Sequence, residues 1–115
     1  NKVGQSTKIK WPFGSADVTA VAYAATMALT TANTRTVATI AQMTGAGTIN
    51  VTIGAEQAVG DELFIKSSSD GTGRVLTWGT GFTGNAYTHV ANKSAIHRFV
   101  YNGTTWELTG SNQTN

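Results

Sequence analysis

Hydrophobic and polar residues alternate along most of the chain after residue 34, which is the pattern of half-buried β-strands. In residues 48–53 the alternation is complete, with Ile49, Val51 and Ile53 separated by threonine and asparagine. Comparable runs occupy residues 35–42, 62–66, 74–78 and 87–90. Turn-forming Gly, Ser, Asp and Asn residues separate these runs. About seven or eight short strands with such spacing predict an all-β fold, a single-domain β-sandwich.

The dipeptide Asn102-Gly103 predicts a β-hairpin near the end of the chain, because a type I′ turn requires positive φ at both central residues. A two-residue loop pairs Phe99 with Trp106, whereas a four-residue loop pairs Tyr101 with Trp106. The two registers differ from each other by an even number of residues, so each places the same side chains on one face of the hairpin. That aromatic face contains His97, Phe99, Tyr101, Trp106 and Leu108.

Residues 16–30 fit two patterns. A helical period places Val18, Val21, Ala22, Ala25 and Leu29 on one face, and a strand period selects Val21, Tyr23, Ala25, Met27 and Leu29. No C-cap glycine follows Thr30-Thr31, and the remaining pattern is β. We therefore predict a strand here.

Length and composition favour one small domain that is neither a nucleic-acid-binding nor a membrane-spanning protein. Among 115 residues only 12% are charged, and the formal net charge of +2 is spread without a basic stripe. No apolar run approaches the roughly 20 residues that span a bilayer. The absence of cysteine excludes disulfides and thiolate metal sites. The chain starts without an initiator Met or a signal-peptide core, which suits a processed product and an arbitrary boundary equally.

The expected organisation is an N-terminal arm over residues 1–15, a β-sandwich domain over 16–110 and a C-terminal tail over 111–115. The arm contains Trp11-Pro12-Phe13, whose proline argues against a central strand. Its aromatic residues predict that the arm lies across an apolar surface, either of its own domain or of a neighbouring subunit.

Apolar residues are predicted on the outer side of the sandwich as well as in the core. Phe64 lies on the strand face opposite Leu63 and Ile65, and Ile96 and Val100 lie opposite Phe99. Several such residues on adjacent strands form a patch. We expect subunits to pack on this patch, and covering by the N-terminal arm is the alternative.

Two glycine-rich motifs have structural explanations. Residues 79–84 match G-x-G-x-x-G, but neither a helix start nor an acidic residue about 20 positions later follows. Residues 70–73 lack the acidic spacing of an EF-hand loop and predict a hairpin turn. We therefore predict no cofactor and no metal at these motifs.

The ionisable residues do not form a recognisable catalytic set. Asp61 and Glu62 are strand neighbours and point to opposite faces. His89 and His97 lack a nearby carboxylate or metal-ligand spacing, and His97 is expected at the rim of the aromatic face. The two-residue hairpin register also pairs Arg98 with Glu107 as a surface ion pair, and such pairs contribute about 0–1 kcal/mol.

The second half of the chain resembles a β-module of tailed-bacteriophage virion structural proteins. The resemblance rests on three ordered segments, residues 59–65 (VGDELFI), 70–79 (DGTGRVLTWG) and 99–106 (FVYNGTTW), and covers roughly residues 35–109. Such modules are similar to tail-fibre, head-fibre and capsid-decoration domains. The resemblance implies a jelly-roll or related sandwich, frequent trimers and no catalytic residues. Family members bind different partners through variable loops.

These observations together predict a non-enzymatic virion protein that decorates a capsid or forms part of a fibre. It is expected to act as a homotrimer that contacts other virion proteins, without cofactors. The predicted assembly residues are Trp11, Phe13, Phe64, Ile96 and Val100. The alternative is a carbohydrate-binding module for host glycans, with Trp78, Phe82 and Tyr87 as stacking residues. An enzyme would require a polar pocket around His89 or His97.

Overall fold

The computed structural model describes residues 16–115, which form ten β-strands and no helix. Accordingly, this part of the chain has no helix long and apolar enough to cross a membrane. The strands are β1 (Asp17–Val21), β2 (Thr26–Thr31), β3 (Arg35–Ile40), β4 (Gly47–Ile53), β5 (Glu62–Ser68), β6 (Val75–Trp78), β7 (Phe82–Thr83), β8 (Tyr87–Thr88), β9 (Ser94–Tyr101) and β10 (Trp106–Gln113). The prediction of an all-β, sandwich-like fold is confirmed.

The strands form two sheets that pack face to face. The six-stranded sheet has the order β1-β3-β5-β9-β10-β7, and the four-stranded sheet has the order β2-β4-β6-β8. Consecutive strands from β1 to β6 alternate between the two sheets. The chain therefore winds around the core, and each return to a sheet adds a parallel strand beside the previous one.

This winding differs from the antiparallel Greek keys of a jelly roll. Five of the eight strand pairings in residues 16–115 are parallel. The reason lies in the connections, which carry the chain to the opposite sheet and not to the neighbouring strand. The antiparallel pairings β5–β9, β9–β10 and β6–β8 involve only the later strands.

The strand prediction for residues 16–30 is confirmed, although one predicted run is two strands. A bend at residues 22–25 separates β1 from β2 and carries the chain between sheets. The Tyr23 hydroxyl donates a hydrogen bond to the carbonyl oxygen of Ala46 at 2.8 Å beside this bend. Met27 and Leu29 then lie in the core.

The terminal hairpin has the four-residue loop, and Tyr101 pairs with Trp106. The type I′ prediction is wrong, because only Gly103 of the central dipeptide has positive φ. The Asn102 side-chain oxygen instead accepts hydrogen bonds from the backbone N–H groups of Thr104 and Thr105, at 2.9 and 2.8 Å. The predicted aromatic face is nevertheless the inner face of the sheet, as the even register change requires.

The ion pair between Arg98 and Glu107 is wrong for the same reason. The longer loop places Glu107 opposite Val100, and Arg98 pairs with Glu62 of β5, with 2.7 Å between Nη2 and Oε2. A β-bulge between Leu108 and Gly110 then shifts the register of β10.

The bulge changes which residues of β10 face inward. Beyond it Ser111 lies opposite His97 and bonds to it. A bulge inserts one unpaired residue, so inward-facing positions on either side are three residues apart and not two. Strand β10 ends at Gln113, so the segment predicted as a tail, residues 111–115, begins within the sheet.

Large side chains from both sheets meet in one core. Phe99 and Trp106 of the six-stranded sheet are fully buried, and Trp78 of the four-stranded sheet packs edge-on against Phe99 with 4.8 Å between ring centroids. The Trp106 indole N–H donates to the Thr31 hydroxyl at 3.1 Å, across the two sheets. Burying a large apolar side chain stabilises a fold by roughly 1.5–3 kcal/mol, so these aromatics hold the sheets together.

Candidate functional site: the outer face of the six-stranded sheet

The side of the six-stranded sheet that points away from the core carries a patch of apolar side chains. Strand register aligns Val18 of β1, Val37 of β3 and Phe64 of β5 in one row across the sheet. Ile96 of β9 lies in the next row, and Val100 lies at the end of the same strand. We call these five residues the outer face. Val18 is 79% exposed and Ile96 is 38% exposed.

A groove with a volume of about 540 Å³ runs across this outer face. The described residues that line it are Ala16, Arg35, Val37, Thr39, Phe64, Lys66 and Ile96. They come from four adjacent strands or their ends, because outward-pointing positions recur every second residue. Aliphatic and aromatic side chains form the floor of the groove. The two cationic side chains, Arg35 and Lys66, lie at its borders. In the pairing of β3 with β5, Arg35 lies opposite Glu62 and Lys66 lies opposite Thr39.

The charges beside the groove are largely paired. Glu62 accepts hydrogen bonds from Arg35 at 3.1 Å and from Arg98 at 2.7 Å. Hydrogen bonding to Arg98, followed by that to Arg35, lowers the pKa of the Glu62 carboxyl group. One carboxylate between two guanidinium groups leaves this triad with a single positive charge. The groove is thus an apolar surface with a weakly cationic border.

The structure brings together three of the five predicted assembly residues. Phe64 and Ile96 line the groove, and Val100 is half-buried in the same sheet, opposite Glu62. Trp11 and Phe13 lie outside the described residues. The sequence pattern located the patch because alternation assigns strand faces, although it does not indicate which strands are neighbours.

The residues predicted to stack on a glycan lie mainly against the core. Trp78 is only 7% exposed, and its ring contacts Phe82 with 5.5 Å between centroids. Phe82 and Tyr87 are half-buried, and the Tyr87 ring lies 4.9 Å from the ring of His97. A buried indole cannot present its face to a sugar, so the carbohydrate-binding alternative would depend on Phe82 and Tyr87.

The G-x-G-x-x-G segment forms a turn beside β4, just beyond the residues of β4 that pair with β6. Val51 donates its backbone N–H to the carbonyl oxygen of Thr80 at 2.9 Å, and Thr80 donates its own to the Asn50 side chain at 2.8 Å. The segment then enters β7, and no helix begins within the described chain. A dinucleotide site of the usual type needs a helix N-terminus at this point.

Residues 70–73 form a turn, as predicted, but the turn is not a hairpin because β5 and β6 belong to different sheets. The Asp70 carboxylate accepts two hydrogen bonds from Arg74, at 2.8 and 2.9 Å. This bidentate contact lowers the pKa of Asp70 and leaves its carboxylate occupied within the turn. Asp61 likewise accepts hydrogen bonds from Gln57 and from the backbone of Ala58.

A buried polar cluster lies between the sheets, and sequence analysis did not anticipate it. Ser67 Oγ lies 2.6 Å from His89 Nε2 and 2.8 Å from His97 Nε2. His97 Nδ1 lies 2.8 Å from Ser111 Oγ, and His89 Nδ1 lies 2.7 Å from the Arg74 carbonyl oxygen. His97 was expected at the rim of the aromatic face; it lies on that face but is fully buried.

The four hydrogen bonds of the cluster can all form when donors and acceptors alternate in one direction along it. His89 Nδ1 must donate to the Arg74 carbonyl oxygen, so its Nε2 accepts from Ser67. Ser67 then accepts from His97 Nε2, and His97 Nδ1 accepts from Ser111. The His97 imidazole is neutral in this arrangement, because its Nδ1 accepts a hydrogen bond. Burial, followed by the nearby His89, lowers the pKa of His97 to about 4.

In enzymes with a nucleophilic serine, an adjacent imidazole activates the hydroxyl group, and Ser67 has such a neighbour in His89. Ser67, His89 and His97 are 1%, 3% and 0% exposed, so a substrate has no contact with the hydroxyl group. No group of three or more metal-ligating side chains occurs among residues 16–115. The geometry is therefore that of a hydrogen-bonded core.

Comparison with known proteins adds no further constraint. A scan against protein-family models and a search of the curated proteins both found no match for this chain. The apolar outer face and the resemblance described from the sequence are the two features of this chain that bear on its function.

Proposed function

We propose that this protein is a non-enzymatic structural module of a virion that acts by protein–protein assembly. It forms a homotrimer and contacts other virion proteins, as a capsid-decoration or fibre component. The observation that supports assembly most strongly is the apolar outer face with its groove. The resemblance of residues 35–109 to phage β-modules supports the virion as its location.

The contrast between the two sheet surfaces supports this choice of interface. The outward positions of the four-stranded sheet are mostly small and polar: Thr26, Ala28, Thr30, Thr48, Asn50, Thr52, Val75 and Thr77. The corresponding surface of the six-stranded sheet carries the valine, isoleucine and phenylalanine side chains of the outer face. Contiguous apolar surface with a polar border is typical of a protein–protein interface.

Substitution of Phe64 by serine tests the proposal. Removing this ring from the groove should weaken assembly by at least about tenfold, since about 1.4 kcal/mol corresponds to a factor of ten. Phe64 points away from the core, so we expect a smaller change in the free energy of unfolding of the separated subunit. Sedimentation equilibrium measures the first quantity, and urea unfolding at low concentration measures the second.

Val75→Ser is the matched control, because Val75 is 37% exposed on the outside of the four-stranded sheet. We expect this variant to assemble like the parent chain. If Phe64→Ser loses stability and assembly by equal amounts, or if both variants weaken assembly alike, the proposed interface is wrong.

A further inference from the structure

A closed ring of three equivalent copies requires two different contact surfaces on each copy. Its contacts run head to tail, so the groove of one copy meets another surface of the next copy. The groove has an apolar floor and a cationic border. The surface that enters it should therefore be exposed, apolar and acidic.

The outer face has more positive than negative charge. Three cationic side chains, Arg35, Lys66 and Arg98, share it with one carboxylate, Glu62. Both arginines are paired with that carboxylate, whereas Lys66 forms no ion pair within residues 16–115. A carboxylate from a second copy would thus find a free cation at the groove in Lys66.

The loop between β4 and β5 presents an exposed apolar side chain beside a free carboxylate. Val59 in this loop is 73% exposed, and Glu56, three residues before it, is also exposed. Of the acidic side chains within residues 16–115, Glu56 alone has no hydrogen bond or ion pair. Glu56 therefore remains available for a cation on another copy.

Hydrogen bonds hold this loop in place before any contact is made. The Gln57 side chain donates to the carbonyl oxygen of Asn33 at 2.7 Å, and the backbone N–H of Ala58 donates to the Asp61 carboxylate at 2.8 Å. A preorganised loop loses little conformational entropy on association.

The spacing of the two loop residues suits the groove. Phe64 and Lys66 both point outward from β5, two residues apart, so their Cα atoms are separated by about 6.6 Å. Glu56 and Val59 are three residues apart and can be separated by at most about 10 Å. Val59 can thus lie on the Phe64 ring while Glu56 reaches Lys66.

The charges distinguish this loop from the other loop with an exposed valine. Val90 is 54% exposed, but Lys93 lies three residues after it and donates its backbone N–H to the Val90 carbonyl oxygen. A lysine beside the apolar side chain is repelled by the cationic border of the groove.

On the basis of the proposed homotrimer, we infer that the loop of residues 55–60 of one copy occupies the groove of the next copy. Val59 packs on Phe64, and Glu56 pairs with Lys66. Three such contacts close the ring, and each copy uses its loop once and its groove once.

Reversal of the two charges tests the pairing. Glu56→Lys and Lys66→Glu should each weaken assembly about tenfold, because each variant brings like charges together. The double variant Glu56→Lys/Lys66→Glu should recover the assembly of the parent chain, since the pair is restored with opposite polarity. Sedimentation equilibrium measures all three association constants.

Lys93→Glu is the matched control for this experiment, because it makes the same charge change away from the groove. We expect it to assemble like the parent chain. Equal weakening by Lys93→Glu and Lys66→Glu, unchanged assembly of both single variants, or a double variant that assembles no better than they do would overturn the inference.

Disulfide formation tests the contact directly, because the chain contains no cysteine. Val37 lines the groove and lies opposite Phe64 in the strand register. After mild oxidation, Val37→Cys/Val59→Cys should give a covalent trimer on a non-reducing gel. The control Val37→Cys/Val90→Cys should remain a single chain.

The single-cysteine variants exclude other arrangements of the copies. A disulfide dimer of Val59→Cys would show that two loops meet each other. A disulfide dimer of Val37→Cys would show that two grooves meet each other. Either result would overturn the contact of loop with groove.

The mass of the parent chain, measured by light scattering, separates this contact from the proposed function. A parent trimer without covalent trimer in Val37→Cys/Val59→Cys would refute the contact of loop with groove and leave the homotrimer intact. A parent that remains a single chain would refute the homotrimer and, with it, this contact.

Discussion

At the scale of single residues, the buried His97 makes the fold sensitive to acid. The hydrogen bonds of His97 to Ser67 and Ser111 accommodate a neutral imidazole, and His97 has a pKa of about 4 in the folded protein. An unfolded histidine titrates near pH 6.5. Between these two values the unfolded chain binds a proton that the folded chain does not, so stability falls as the pH falls.

We therefore expect the free energy of unfolding to decrease by about 2 kcal/mol between pH 7 and pH 5 because of His97 alone. Urea unfolding at a series of pH values measures this change. The lowered pKa values of Glu62 and Asp70 affect stability at lower pH, because their ordinary values are 4.5 and 3.8. A free energy of unfolding that does not change between pH 7 and pH 5 would contradict a buried, neutral His97.

Gly81 is a second residue whose environment fixes its identity. Its φ of +88° is unfavourable for other residues, and an added Cβ would lie 2.8 Å from the carbonyl oxygen of Val51. Gly81→Ala should therefore lower the free energy of unfolding by about 1–3 kcal/mol.

Gly71→Ala is the control for this glycine, because an added Cβ there meets no atom within 4 Å. We expect a change of less than about 0.5 kcal/mol for this surface position. Thermal or urea unfolding of both variants measures the difference. Similar losses in the two variants would show that the G-x-G-x-x-G turn is not constrained as the structure describes.

At the scale of elements, strand positions and inner faces follow from the sequence because alternation is a local property. Residues 48–53 and the aromatic face of the terminal hairpin illustrate this, since Ile49, Val51 and Phe99 face the core as predicted. The partner of each strand is not a local property. The Arg98–Glu107 pair was wrong because the Asn102 side chain stabilises a four-residue loop, which changes the register.

The buried cluster shows the same limit at the candidate sites. Alternation places Ser67 on the face of Leu63 and Ile65, and it places His97 on the face of Phe99. Their contact, however, requires β5 to pair with β9, which is about 30 residues further along the chain. Likewise, the apolar character of Phe64 and Ile96 was predictable, but the groove that they line required the strand order β1-β3-β5-β9.

At the scale of the whole molecule, the two sheet surfaces differ in character. One is rich in threonine and asparagine, and the other combines an apolar groove with a paired cluster of charges. A winding that alternates between sheets aligns equivalent outward positions of β1, β3 and β5 side by side. This alignment converts single apolar residues into a continuous surface, which is the basis of the proposed assembly.

The absolute mass of the full chain in solution tests this proposal most directly. Light scattering over about a hundredfold range of concentration should give three times the chain mass of 12.0 kDa at the upper end. Phe64→Ser should shift the mass toward that of a single chain at concentrations where the parent remains assembled. A mass of 12.0 kDa for the parent chain throughout the range would contradict self-association through the outer face.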